Sequence, residues 1–272
     1  MTRLLTTALA LALTAGTAAA QNECAAGKTL TDGTLTIATG NPAYYPWVLD
    51  DDPASGQGFE AAVAYAVAGE MGFADDQVKW VRTSFDQSIQ PGAKNFDFNL
   101  QQFSITEERE RMVDFSAPYY TSAMAVLTTQ GVVDAGAEPT VESLKTLKWG
   151  ADANTTAVPM LTQLIEPEQD PLLYGDNTDV TAAMQAGQID AALFDLPTAL
   201  YLAAVTLEDG VILGQFPPER SENPDAFGLL MEEGNPLKDC VDAALARLKE
   251  SGRLAEIEAE WLQETTGVPV IE

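Results

Sequence analysis

The sequence contains no histidine, and only two of its 272 residues are cysteine. Without histidine there is no Ser–His–Asp or Cys–His catalytic arrangement and no imidazole metal ligand. Two cysteines cannot build a four-cysteine zinc site or a cluster site. Positive charge is scarce too: 14 Lys and Arg stand against 41 Asp and Glu, a formal charge of −27. A chain so poor in cations cannot displace phosphate counterions, which sets nucleic-acid binding aside, and an anionic membrane surface would repel it. What the chain does have is 46% apolar residues, enough for a buried core in one large domain or two modest lobes. The classes left are an acidic soluble protein that binds something small, and an enzyme that works through carboxylates, hydroxyls, Lys, Arg or Tyr.

The first twenty residues read as a secretion leader. Arg3 supplies the positive start, Leu4 to Leu13 a short apolar run, and Ala18-Ala19-Ala20 the small residues before a cut at Gln21. The alternative, a membrane anchor, needs a longer stretch than one broken by Thr6, Thr7, Thr14 and Thr17. Acylation at Cys24 is disfavoured because the polar Gln21-Asn22-Glu23 precedes it. In an oxidising compartment Cys24 and Cys240 can pair. The other reading is two separate thiols, one buried on a helix expected over Pro236–Glu250.

Period and composition then divide the chain. Gly33 to Thr39 alternates as a strand, and Phe59, Val63, Val67 and Met71 form the apolar stripe of a helix stopped by Gly72. Val78–Val81 and Phe96–Phe103 read as further strands, so strand and helix alternate as in a parallel sheet with crossovers. The pattern restarts with strands at Ala123–Thr129, Leu147–Ala151 and Ile189–Phe194. Helices are expected at Pro139–Leu147, Thr155–Ile165, Thr181–Ala186 and Leu196–Val205, and two amphipathic helices close the chain. Two α/β lobes imply a cleft at the carboxyl ends of strands, where small ligands bind.

Several residues are candidates for that cleft. Ser104-Ile-Thr106-Glu107-Glu108 resembles a helix start, with Arg109 in its first turn. A guanidinium beside helix amides and a hydroxyl makes a carboxylate receptor; the plainer reading is a surface Arg paired with Glu107 or Glu110. Thr155 and Thr156 open a helix after Asn154 and form either an anion site or an ordinary cap. Asp195, after a buried strand, either pairs with an ammonium or caps the next helix. Tyr44-Tyr45-Pro46-Trp47 is an aromatic cluster in the first strand-to-helix loop, and Asn41 either meets a ligand or forms an Asx-turn.

Together these segments resemble the solute-binding proteins, family 3, of ABC transporters for polar amino acids. The resemblance rests on Gly58-Phe59-Glu60, Ser104-Ile-Thr-Glu-Glu-Arg109, Val113-Asp-Phe-Ser-Ala-Pro-Tyr-Tyr120, Thr155-Thr156, Gly187-Gln-Ile-Asp-Ala-Ala192 and Asp195, and runs from about Leu30 to Leu262. It implies an α/β protein with the two-lobed type II periplasmic-binding fold, each lobe a mainly parallel sheet with flanking helices, joined by a two-strand hinge. Residues 21–122 and 223–272 would form lobe 1 and residues 123–222 lobe 2, hinged near Ser122–Leu127 and Glu219–Ala226. The implied protein is periplasmic and monomeric. It holds an amino acid between its lobes and presents it to ABC permease subunits, without cofactor, metal or catalysis.

The resemblance also implies roles. Arg109 takes the ligand α-carboxylate with Ser104 and Thr156, and Asp195 takes the α-ammonium. Tyr44 lies against the ligand side chain, with Trp80 a further candidate. Departures from the family pattern are Asn41 where relatives often carry Asp, Gln101 and Gln102 in place of small residues, and Asn154 in place of Gly. The missing carboxylate at Asn41 points to a polar or neutral amino acid, and Gln102 narrows the pocket or reaches the ligand. Two further readings use the same fold: an exported enzyme resembling cyclohexadienyl dehydratase, and a sensory or accessory binding protein serving a separate chain.

Overall fold

From its amino end the chain builds β1 (Leu35–Thr39), α1 (Phe59–Glu70), β2 (Val78–Arg82), the short α2 (Phe85–Ile89) and β3 (Phe98–Asn99). In this computed structural model, residues 24–220, 224–262 and 267–272 are described; the leader expected at 1–20 lies outside them. β4 (Asp114–Phe115) and β5 (Tyr120–Ser122) precede β6 (Met124–Thr129), α3 (Gln130–Asp134), α4 (Val141–Leu144) and β7 (Trp149–Asp152). Then come α5 (Ala157–Leu164), β8 (Leu172–Tyr174), α6 (Asn177–Gln185), β9 (Ala191–Asp195), α7 (Leu196–Tyr201) and β10 (Gly210–Phe216). β11 (Asp225–Phe227), β12 (Leu230–Met231), α8 (Lys238–Glu250) and α9 (Arg253–Trp261) complete the order.

The strands form two five-stranded sheets and a two-stranded ladder between them. The first sheet runs β2-β1-β3-β12-β4 and the second β10-β6-β9-β7-β8. Parallel pairing holds for β2-β1-β3 and for β9-β7-β8, the strands joined by crossover helices. β12 in the first sheet and β6 and β10 in the second run antiparallel to their neighbours; β6 and β12 each follow a passage of the chain from one lobe to the other. β5 and β11 pair antiparallel as Asp225–Ser122, Ala226–Thr121 and Phe227–Tyr120, which is the connecting ladder.

α1 shows how sequence becomes packing. Phe59, Val63 and Val67 are fully buried against α8 and α9, in a core with Leu35, Ile37, Val241, Leu245 and Ile257. Each such side chain contributes roughly 1.5–3 kcal/mol when removed from water. The helix starts at Gly58 because nothing larger fits: φ is 101°, and a Cβ there would stand 2.5 Å from the Trp47 carbonyl oxygen. The amino end is stapled to the same core. Cys24 and Cys240 are joined, with Cα atoms 5.9 Å apart, tying the start of the described chain to α8.

Three features depart from the expectations. No helix follows Thr106; Arg109–Arg111 is one 3-10 turn, because the chain must turn at once into β4. β10 and β8 were not foreseen. Finally, the last residues do not lie with 223–262. Ile271 is buried in the second lobe's core, Gln215 N–H donates to the Pro269 carbonyl, and Ile271 N–H donates to the Gln215 carbonyl. Among the described residues no helix is long and apolar enough to cross a membrane.

Candidate functional site

The cleft between the sheets encloses a cavity of about 360 Å³. The ends of β1, β7 and β9 and the turns after β3 line it, as strand-terminal loops do in this topology. Asn41, Tyr44, Gln102, Ser104, Arg109, Thr155, Thr156 and Asp195 all face it. Trp80 does not. It lies on β2, where its indole N–H donates to the Tyr65 hydroxyl at 3.4 Å and its ring packs against Tyr65 beside the first lobe's core, away from the cavity. The period of two sends alternate residues of an edge strand away from the sheet's inner face.

Arg109 is 6% exposed. One Nη donates to the Ser104 carbonyl at 2.9 Å and the other to the Asn154 carbonyl, across the cleft, at 2.8 Å. Its guanidinium stands 5.1 Å from the centre of the Phe85 ring, which stacks on Phe103. These contacts fix the planar fork and leave its other N–H groups for the cavity. Neither Glu107 nor Glu110 is bonded to it. Burial lowers its affinity for its proton, and Asp225, Glu108 and Asp152 restore it in part; an Arg stays cationic under such conditions.

Asp195 is both a cap and a cavity residue. Its Oδ1 accepts from Thr198 N–H at 2.8 Å, starting α7. Burial pushes its carboxyl up to about 7, against the two Thr198 hydrogen bonds and with Asp225 adding to the rise. Thr156 precedes α5 with no capping bond from its side chain. Its hydroxyl lies 3.3 Å from both Ser104 Oγ and Asp225 Oδ1. Thr155 instead donates to the Asp152 carbonyl.

Four acids in the cavity wall, Glu60, Asp152, Asp176 and Asp225, were not singled out from the sequence. Glu60, 1% exposed, lies on the buried face of α1. Its carboxylate accepts from Gln102 N–H at 2.8 Å, from Gln102 Nε2 at 2.6 Å and from the Tyr119 hydroxyl. Gln102 has φ 51°, the left-handed region that a non-glycine residue occupies at a cost, and the paired bonds to Glu60 hold it there. Burial pushes Glu60 up to about 7, while its three donors pull it down. Asp225, 6% exposed, sits on β11 and accepts from the hydroxyls of Ser104 and Thr156. Burial raises its carboxyl, and those hydroxyls and Arg109 oppose the rise. Glu60 stood in plain view in Gly58-Phe59-Glu60, an acid on the apolar stripe of a helix. Asp225 gave no local signal.

The lobes touch across the cavity mouth. Trp47 Nε1 donates to Thr198 Oγ1 at 2.8 Å, Asn154 Nδ2 to Asp86 Oδ1 at 3.0 Å, and the Tyr44 and Thr178 hydroxyls stand 3.2 Å apart. Every bond in this set joins residues before β5 to residues after β6. Among the described residues no three acids, cysteines or histidines are arranged to hold a metal ion.

Chemically, the cavity sets one fixed cation at a distance from fixed carboxylates, inside apolar walls, with hydroxyls between. Comparison with known proteins agrees with that geometry. The chain is 28% identical over 232 residues to the L-cystine-binding protein of Escherichia coli (strain K12), covering 84% of this chain and 82% of that one. It is 27% identical over 227 residues to the arginine-binding periplasmic protein of Mannheimia haemolytica, covering 81% and 88%. Its fold matches the ancestral amino acid-binding protein AncCDT-1, a precursor of cyclohexadienyl dehydratase, with a TM-score of 0.65 at 25% identity over 84% of this chain and 95% of that one. Residues 35–264 match the bacterial extracellular solute-binding proteins, family 3, and the chain belongs to that family of amino-acid-binding components of ABC transporters.

Proposed function

We propose that this protein is the periplasmic receptor of an ABC importer, capturing a free amino acid in the cleft and presenting the closed, loaded form to the permease. Arg109 holds the ligand α-carboxylate, with the Ser104 and Thr156 hydroxyls beside it. Asp195 holds the α-ammonium, while Tyr44, Asn41, Gln102 and Thr155 border the side chain. The observation that carries this reading is the opposed pair of Arg109 and Asp195, one from each lobe, in one buried cavity. A ligand gripped by both favours closure because only the closed form offers it both charges. Residues 24–122 and 224–262 act as one body and 123–220 with 267–272 as the other, moving about the β5–β11 ladder. The leader pattern and relatives named as periplasmic proteins support an exported location.

The test is a thermal-shift panel of the twenty amino acids. A ligand present at a hundredfold excess over its dissociation constant stabilises the native state by about 2.7 kcal/mol. Arg109→Ala should weaken binding of the positive ligand by about a hundredfold, with the circular dichroism of the ligand-free protein unchanged. A panel in which nothing raises the melting temperature would refute the reading.

One observation favours a second reading. Glu60 and Asp195, both brought to about 7, are suited to general acid catalysis. Among the described residues the cavity nevertheless offers Arg109 alone as a cation, which suits one carboxylate rather than a dicarboxylate substrate. Incubation with prephenate, followed by the ultraviolet absorbance of phenylpyruvate, separates the two.

A further inference from the structure

The charges in the cavity do not balance for a simple amino acid. Asp152, Asp176, Asp195 and Asp225 line it; Asp176 is exposed, and among the described residues none of the four has a Lys or Arg within ion-pair distance. Glu60 stands behind Gln102, and Asp195 acts on its charge. Against these acids the wall holds Arg109 as its one basic residue among those described. A ligand with one carboxylate and one ammonium would match Arg109 and one of the aspartates. The other of Asp195 and Asp225 would be shut into the closed cleft without a counter-charge of its own, because Arg109 is then engaged by the ligand carboxylate. Enclosing an unpaired carboxylate is unfavourable unless a cation accompanies it.

The hydrogen-bonding inventory points the same way. Gln101 lines the cavity, and its Oε1 is buried without a partner. An acceptor left bare in a binding cavity asks for a ligand N–H. The wall is therefore short of both positive charge and donors, and a second ammonium, amidinium or guanidinium supplies the two together. The acids are not placed to hold a metal ion among the described residues, so the missing cation is organic.

We propose that Asp225, on the connecting ladder, is a specificity-determining carboxylate that selects an amino acid carrying a second cationic group. The proposal rests on the receptor reading above. It also relocates the charge that the departure at Asn41 removes: the negative partner for a basic side chain comes from the hinge rather than from the end of β1. Asp225 is placed to couple selection to closure as well, because its hydroxyl partners Ser104 and Thr156 come from opposite lobes.

The experiment is isothermal titration of the purified protein with matched pairs, arginine against citrulline and lysine against norleucine, for wild type and Asp225→Asn. The expected result is that one basic member binds wild type about tenfold or more tightly than its neutral analogue. Asp225→Asn should close that gap by weakening only the basic member. A neutral analogue that binds wild type as tightly as its basic partner overturns the inference while leaving the receptor reading standing. A gap that survives in a folded Asp225→Asn protein overturns the role of Asp225. If no amino acid binds at all, the receptor reading fails first. Should Asp225→Asn not fold, Asp225→Ser, which keeps a hydroxyl for the Ser104 and Thr156 side chains, is titrated in its place: loss of the gap supports the inference, and a gap that survives overturns it.

Discussion

Glu60→Gln tests whether a buried acid sets the pH dependence of the ligand-free protein. The unfolded chain gives up this proton near the ordinary value of 4.5, whereas burial holds it in the native state to about 7. The native state therefore binds more protons across that interval, and stability falls as pH rises through it. At 1.36 kcal/mol per pH unit, the full effect above the native value is about 3 kcal/mol. For a protein of this size that is about 6–12 °C in melting temperature. The groups facing Glu60 are Tyr119 and Gln102, which donate to it, and Asp195, which repels it. All three stay in place in Glu60→Gln, as do Asp225 and the acidic surface, so subtracting the two profiles isolates residue 60. Glutamine offers the Gln102 and Tyr119 donors one good acceptor instead of two, which lowers stability by an amount that does not depend on pH. Melting followed by circular dichroism from pH 4 to 8 should show wild type losing about 6–12 °C relative to the variant. Parallel profiles, or a wild type that gains on the variant as pH rises, would refute the argument.

Three other outcomes follow. Breaking the Cys24–Cys240 bond, by reduction or by serine at both positions, releases a crosslink spanning 216 residues. The chain-entropy ceiling is about 5 kcal/mol, so a drop of several degrees in melting temperature is expected, with ligand affinity within about twofold of wild type. Thr198→Val strips the Trp47 indole of its acceptor across the cleft and removes one donor from Asp195. It should weaken ligand binding by about tenfold, read by titration, because an unpaired buried N–H penalises the closed form. Trp80→Phe, outside the cavity, should leave affinity within about twofold in the same titration.

The parts of the fold legible in the sequence are those fixed by local pattern. The four-residue spacing of Phe59, Val63 and Val67 located α1, and the alternation of Leu35 and Ile37 located β1, since in each case the residues facing the core sit close together along the chain. Local pattern marked Arg109, Thr156 and Asp195 only as candidates, each with a plainer reading as an ion pair or a cap, and it was the family resemblance that joined them in one cleft. Other features depend on distant partners. Asp225 is buried only because β11 pairs with Ser122 on β5, more than a hundred positions earlier, and in the sequence it follows a charged, proline-rich stretch that reads as solvent-exposed. β10 was missed because Gly210 and Gly214 interrupt its apolar run. Gly214 is required there since a Cβ would stand 2.3 Å from Ile271 of the returning tail. The helix expected after Thr106 has the right first residues, but Val113 must reach the core of the first lobe, which leaves room for one turn.

The returning tail changes how the lobes can move. With Leu262 in the first lobe's core and Ile271 in the second's, the polypeptide passes between the bodies once more after its two passages beside the β5–β11 ladder. Two neighbouring tethers act like a door hinge, free to swing and also to twist. A third, attached at Gln215 on β10, lies beside those two, since Gln215 stands opposite Ala125 at the start of β6. Three tethers side by side make a broader hinge than two, one that resists twisting more than it resists swinging. The stiffness of the hinge thus draws on residues 267–272, around Ile271, none of which lines the cleft.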